Sequence, residues 1–339
     1  MAQWLKDQAR ALVRRAGYDL VRTARPDPLY VEPSFDAQTE LPPGATEKLR
    51  PNHPRLLELR ERYARCGVPM GQRTMWRPQY LESELTLARF RGDNSYVWQF
   101  RNIGDDARFK YFVYLRDLES RDPRNLVTTL GEDGLFGCWT FEYPGHPTVS
   151  RDLLDSVNEI YFLNRHTGVL DQPGAVVLDI GAGYGRLAHR LVKAAPGLGT
   201  YICVDAVAES TFLCEYYTRF RGVADTVDVV PLDEIDARII GQPVDIAVNV
   251  HSFSEMSTAA IEGWLEVVAA TGAHWLLVVP NDNEQLLTFE DDGERKDFSA
   301  LPARYGYELT ANEPIFPDPT VRQITNMNYQ FFLYRRTGA

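Results

Sequence analysis

Residues 176–186, Val-Val-Leu-Asp-Ile-Gly-Ala-Gly-Tyr-Gly-Arg, constrain the fold more than any other stretch of the chain. An apolar run ending in an acid, Asp179, reads as a buried parallel strand. It breaks into alternate glycines, Gly181, Gly183 and Gly185, then enters an amphipathic segment carrying Leu187, Ala188, Leu191, Val192 and Ala195. Glycine lets a backbone turn tightly and approach a ligand where a Cβ would collide. The helix that follows presents its first-turn N–H groups to the same place. Such a stretch makes a ligand cradle, and its neighbours decide the ligand.

From Ala175 onward the pattern alternates. Strands are expected at 175–180, 200–205, 226–230, 243–250 and 276–280, with helices at 186–195, 209–221, 233–240 and 256–271. Alternation of this kind predicts an α/β fold with a doubly wound, mostly parallel sheet. Residues 304–309 and 329–334 break the rule. They read as an antiparallel closing pair of strands with no helix between them, for seven strands in all. The expected division is an N-terminal extension over 1–149, helical and aromatic, serving as a substrate lid or in oligomerisation, and a ligand-binding domain over 150–339.

Within the extension, residues 2–16 form an amphipathic helix, with Leu5, Ala9, Leu12 and Ala16 on one face and Lys6, Arg10 and Arg14 away from it. It packs on its own domain, or it meets a membrane surface or partner. Pro26, Pro28, Pro33, Pro42, Pro43, Pro51 and Pro54 mark an arm that cannot stay regular for long. The next segment is rich in aromatics: Trp76, Tyr80, Phe90, Tyr96, Trp98, Phe100, Tyr111, Phe112 and Tyr114. These are core residues or the lining of a carbohydrate pocket. Ser150 is placed to N-cap a helix running through Leu153, Val157, Ile160 and Tyr161 to Gly168.

The net charge of -11 and pI near 5.1 argue against nucleic acid as the main partner. Residues 1–150 carry 22 Lys+Arg against 20 Asp+Glu, and the remainder 14 against 27. The acidic half holds the glycine loop, which suits a cationic ligand better than a free polyphosphate. No apolar run reaches membrane-spanning length, and the first residues lack a signal-peptide pattern. Cys66, Cys138, Cys203 and Cys214 lack metal-ligand spacing, consistent with reduced thiols and a cytoplasmic location.

A dinucleotide fingerprint needs a third small residue, G-x-G-x-x-G/A, and Arg186 stands at that position. Asp205 follows at the end of the second strand, where a carboxylate can accept ribose hydroxyls of either cofactor. Asp179-Ile-Gly-Ala-Gly-Tyr-Gly185, Asp205 and the five-strand alternation with its closing pair resemble a class I S-adenosylmethionine-dependent methyltransferase. The resemblance implies a Rossmann-like fold and S-adenosylmethionine as cofactor. The loop Gly181, Ala182, Gly183, Tyr184 and Gly185 would wrap the methionine portion below Asp179. Asp205 and Ala206 would meet the ribose, Leu232 and Asp233 the adenine, and Asn249 and Val250 the fourth-strand side.

Ser150-Arg-Asp-Leu-Leu-Asp-Ser156, Tyr184-Gly-Arg-Leu-Ala188, Asn249-Val-His-Ser-Phe-Ser-Glu-Met256 and Gly131-Glu-Asp-Gly-Leu-Phe-Gly137 are similar to a family of sugar O-methyltransferases. That implies a saccharide acceptor, with mannosides of methylated polysaccharides as one case. The chemistry needs a base for the hydroxyl proton. His251, just past the fourth strand, is the first candidate, with Glu255 orienting its imidazole if both share a helical face. The competing assignment leaves His251 as a cofactor or loop hydrogen-bonding group and Glu255 as a first-turn helix acid. His146, near Glu142 in a turn-rich segment, is the second candidate base. Tyr184, Glu142 and Asn281 are candidate acceptor contacts, and Asp282 is a candidate ligand for Mg²⁺.

After the fourth strand Asn249 is followed by Val250-His251 rather than by the prolines of amine-methylating enzymes, which favours an oxygen acceptor. Three other functions stay open: O-methylation of another small natural product, an NAD(P)-dependent oxidoreductase, and a methyltransferase-like binding protein without turnover. A homodimer is compatible with the sequence.

Overall fold

The structure is a computed structural model that describes residues 41–72, 75–92, 107–281 and 284–337. The expected helix at 2–16, the prolines before residue 40, Tyr96, Trp98, Phe100 and Asp282 lie outside the described residues. Thr39–Ala339 form one compact unit, so the described residues between Pro54 and Ser150 belong to the same body as the sheet.

Seven strands build that sheet: β1 Val176–Ile180, β2 Thr200–Val204, β3 Val227–Val230, β4 Ile246–Val250, β5 Trp275–Val279, β6 Tyr307–Pro314 and β7 Gln330–Arg336. Their order is β3-β2-β1-β4-β5-β7-β6. The first five pair in parallel, and β7 and β6 close the edge antiparallel. This is a doubly wound Rossmann-like sheet. Chain order reverses at β1, which lies between β2 and β4, and a crevice at the carboxyl ends of strands opens at such a switch point.

The longer helices are α1 Pro54–Arg65, α2 Ala107–Glu119, α3 Arg151–Thr167, α4 Arg186–Ala194, α5 Ala208–Phe220 and α6 Thr258–Thr271. Alternate residues of each strand point to opposite faces. Leu178, Ile180, Ile202, Ala247 and Leu276 enter one core with side chains from α1, α5 and α6. Val177, Tyr201, Ile246, Val248 and Leu277 enter the other with α2, α3 and α4. Ser150 caps α3 by accepting from the Leu153 amide at 3.1 Å, and Gly168 ends that helix in the left-handed region at φ 72. Both were legible from residue type.

The expectation of no helix between the last two strands is corrected. Pro319–Thr325 is helical, with Asp318 accepting from the Thr320 amide at 2.7 Å, Pro319 in the first turn and Asn326 left-handed at φ 56. An acidic cap followed by proline is a recognised start signal. Seven residues are too few to show an apolar stripe.

Helix α1 accounts for much of the charge asymmetry. Arg55 makes three hydrogen bonds to Glu215, Arg60 reaches Glu209 at 2.8 Å, and Arg62 reaches Asp233 at 2.8 Å. Each pair is partly exposed and worth at most about 1 kcal/mol. Together they lay a basic helix along acidic α5 and the end of β3.

Candidate active site at the carboxyl edge of the sheet

The glycine loop turns where its amides find partners. The Gly181 and Ala182 amides both donate to the Val204 carbonyl, at 2.9 and 3.1 Å, and Gly181, Gly183 and Gly185 have φ of 71, 57 and 86. A Cβ on Gly181 would lie 2.1 Å from Ser252 Oγ, so this glycine lets the loop seat against the turn after β4. Gly185 is similarly close to Cys214 of α5, with a Cβ position 3.0 Å from its sulfur.

The two acids at the strand ends are ordered by different donors. Asp205 accepts from the Gly183 amide at 3.0 Å and the Val207 amide at 2.8 Å. Burial raises its pKa to about 6, against the opposing pull of those amides. Asp179 accepts from the Tyr201 hydroxyl at 2.8 Å, and burial lifts it to about 7.

These groups open onto a cavity of about 530 Å³, within the size range of small-molecule sites. Its cofactor side is formed by Asp179, Gly181, Ala182, Gly183, Asp205, Ala206, Val207 and Ser210. The far side carries Trp76, Arg151, Asp155, Val250, His251, Glu255, Asn281, Phe289, Arg295 and Tyr329.

His251 sits on the far side with a strained backbone, φ 70 and ψ −33, its amide donating to the Val279 carbonyl at 2.7 Å. Its ring stands 5.7 Å from the ring of Tyr329, and its Nδ1 has no hydrogen-bond partner among the described residues. Burial, then the nearby Arg151 and Arg186, push its pKa down to about 3. The imidazole is therefore neutral at working pH.

Glu255 ends the one-turn 3₁₀ helix Ser252–Glu255. The Trp76 indole N–H donates to its Oε2 at 2.6 Å and the Asn281 amide nitrogen to its Oε1 at 3.1 Å. Burial raises it to about 7 although both donors stabilise the ionised form. The expected partnership in which Glu255 orients the His251 imidazole is corrected. The left-handed turn at His251 precedes the helix, so the i to i+4 geometry is absent, and the carboxylate goes to Trp76 and Asn281.

Several expected site residues lie elsewhere. Asn249 is fully buried, donates to the Ile180 carbonyl at 2.9 Å and accepts from the Phe253 amide, joining β1 to the turn after β4. Leu232 is core, its amide donating to the Tyr63 hydroxyl, and Asp233 is taken by Arg62. Gly185 starts α4 behind the cavity wall. His146 pairs with Glu119 at 2.7 Å beside Phe112, and neither His146 nor Glu142 lines the cavity. Tyr184 borders the cavity, but its hydroxyl goes to Asp152 and its ring packs 5.0 Å from Phe90 and Tyr217. It is a core plug under the loop. Among the described residues no cluster of three or more His, Cys, Asp or Glu side chains is arranged to hold a metal ion. No described helix is long and apolar enough to cross a membrane.

Sequence reasoning passed over two features. Of the aromatics from Trp76 to Tyr114 that are described, Trp76 alone lines the cavity. The second is a charge network beneath Tyr184. Arg91, fully buried, donates to Asp152 at 3.1 Å and Glu132 at 2.7 Å, and Glu132 also accepts from Ser150 and from Arg190 at 2.9 Å. Burial by itself would raise Glu132, yet Arg91 and Arg190 hold it well below the usual carboxylate range. The Gly131–Gly137 motif is thus a support for α3 and the loop.

No family model matches the chain, and no curated protein does. Among solved structures, a S-adenosylmethionine-dependent methyltransferase from Clostridium acetobutylicum ATCC 824 aligns at 14% identity and TM-score 0.39, over 53% of this chain and 92% of that one. The cyclase SpnF aligns at 14% identity and TM-score 0.41, over 68% and 96%. A DhpI–SAH complex aligns at 13% identity and TM-score 0.37, over 68% and 96%. Every one of these TM-scores is below 0.5, so what supports a functional reading is the geometry of the site.

Proposed function

We propose that the protein is an S-adenosylmethionine-dependent O-methyltransferase whose acceptor is a hydroxyl of a sugar or oligosaccharide. One observation carries this reading. The glycine turn of β1, seated on Ser252, and the β2 acid Asp205 face a single cavity that continues to Trp76, Glu255 and Asn281. Gly181 to Tyr184 would hold the methionine portion, and Asp205 the ribose, since a carboxylate has about four acceptor sites and the Gly183 and Val207 amides and the Ser210 side chain leave room for one more donor. Ala206 and Val207, rather than Leu232 and Asp233, border the cavity next to Asp205.

A dinucleotide fits less well. Arg186 occupies the third small-residue position and reaches across to Ser156 and Glu159, both at 2.8 Å, locking α4 to α3. The donor supplies a methyl group on a positively charged sulfur. The chain has to hold an acceptor oxygen in line with it and exclude water, which is where most of the acceleration arises. Trp76, Phe289 and Tyr329 give the far side aromatic faces, and Asn281, Asp155 and Arg151 give it polar groups, a mixture suited to a saccharide. A cytoplasmic enzyme, alone or as a homodimer, is the setting this implies.

The test is transfer of a labelled methyl group from S-adenosylmethionine to a panel of mannosides, glucosides and amino sugars. Incorporation as a stable ether into at least one of them is the expected result. Binding of S-adenosylhomocysteine with no transfer to any panel member would favour the binding-protein alternative.

A further inference from the structure

Methyl transfer to a hydroxyl leaves a proton to be placed. The O–H bond breaks as the O–CH₃ bond forms, and the S–CH₃ electron pair returns to sulfur, whose positive charge disappears. The proton needs a group whose affinity for it is adequate at that moment. His251 is badly placed for this, because a protonated imidazole would stand buried beside Arg151 and Arg186.

We propose that Glu255 is the proton acceptor of this reaction, with Trp76 and Asn281 as the residues that position it. This rests on the methyl-transfer reading above. Glu255 follows Ser252, the residue on which Gly181 rests, by a single 3₁₀ turn, so its carboxylate belongs to the wall shared by the donor and acceptor ends of the cavity. Two neutral donors hold it, the Trp76 indole N–H at 2.6 Å to Oε2 and the Asn281 side-chain amide at 3.1 Å to Oε1. Neutral donors fix the carboxylate's geometry without cancelling its charge. The Asn281 amide also leans on the His251 carbonyl at 3.4 Å, and its backbone N–H donates to Ser254 at 3.1 Å. The strained turn at His251 thereby serves to place Asn281.

The charge change of the reaction works in the same direction. While the donor's positive sulfur is present, Glu255 is held ionised. Once the methyl group leaves, that stabilisation ends and the carboxylate becomes the better base, with a proton affinity already near neutrality from burial and from Asp205. The proton released from the acceptor oxygen is taken by a Glu255 carboxylate oxygen, so atoms and charge balance.

A binding measurement tests this without a known acceptor. Among the described residues the other charged groups lining the cavity are Asp152, Asp155, Asp179, Asp205, Arg151, Arg186 and Arg295, with neutral His251 beside them. S-Adenosylmethionine and S-adenosylhomocysteine differ by the methyl group and one positive charge. Calorimetry at pH 7 in buffers of different ionisation enthalpy counts the protons each one releases on binding. The expected result, with the measurement repeated from about pH 6 to 8, is that S-adenosylmethionine releases a fraction of a proton more than S-adenosylhomocysteine, most at the pH where Glu255 titrates. The difference should vanish in Glu255→Gln and persist in Asp179→Asn. In Trp76→Phe, which loses a donor to the carboxylate, its maximum should move to higher pH. A wild-type difference of zero, or one that survives in Glu255→Gln, overturns the proposal. Failure of both ligands to bind would instead strike at the methyl-transfer reading itself.

Discussion

Arg91→Leu is expected to lower the melting temperature by on the order of 5 °C. The guanidinium is fully buried and bonds Asp152, Glu132 and the Leu135 carbonyl. Removing it leaves Glu132 with Arg190 as its cation beside Ser150 and the Asp133 and Gly134 amides, and Asp152 with Tyr184 and a long Cys138 contact. Breaking a buried charge pair from one side costs about 3–5 kcal/mol, because the remaining charge stays desolvated. In a chain of 339 residues each kcal/mol corresponds to roughly 1.5 °C, from about 2.1 cal/mol/K of unfolding entropy per residue. Arg91→Lys should recover little, since one ammonium cannot reproduce a planar fork spanning three acceptors. Since Asp152 holds Tyr184 under the glycine loop, cofactor affinity should fall along with stability. Differential scanning calorimetry reads the first effect and ligand titration the second. A melting point within about 2 °C of wild type would mean that the network contributes no net stability.

Gly181→Ala should weaken S-adenosylhomocysteine binding by about 100-fold or more. The added Cβ would sit 2.1 Å from Ser252 Oγ and 2.5 Å from Ser252 Cβ, on a residue whose φ is 71. Left-handed backbone costs a non-glycine residue about 1–2 kcal/mol, and the collision must push either the loop or the turn after β4 aside. Either displacement alters the cradle, and about 2.7 kcal/mol of lost binding energy is a factor of 100. Gly181→Ala combined with Ser252→Gly relieves the collision and leaves the backbone strain, so it should restore part of the affinity. Circular dichroism separates this local effect from unfolding. Wild-type affinity in the single variant would show that the loop does not contact the ligand.

The parallel sheet was legible because its strands are buried on both faces. Such strands read as continuous apolar runs, and Gly181, Asp205, Pro231 and Pro280 mark where β1, β2, β3 and β5 stop. Ser150 and Gly168 announced the ends of α3 for the same local reasons. What the sequence hid depends on contacts distant along the chain. Arg91 and Glu132 look like surface residues until 41 positions of intervening chain bring them together. Trp76 could not be told from its aromatic neighbours, because its role comes from Glu255, 179 residues away. The His251–Glu255 pairing failed on backbone detail, since the left-handed turn at His251 is invisible to spacing. Asn249 and Asp233 stood at the right strand ends, but residue type alone could not show that Ile180 and Arg62 already occupy them.

The central claim is that the cradle of β1 and Asp205 holds a methyl donor. Isothermal titration of the wild-type chain with S-adenosylhomocysteine and, separately, with NADH tests it most directly. The account predicts saturable one-to-one binding of S-adenosylhomocysteine, weakened at least about tenfold in Asp205→Asn through loss of a charge-assisted contact to the ribose, and no binding of NADH. Saturable binding of NADH with none of S-adenosylhomocysteine would contradict it.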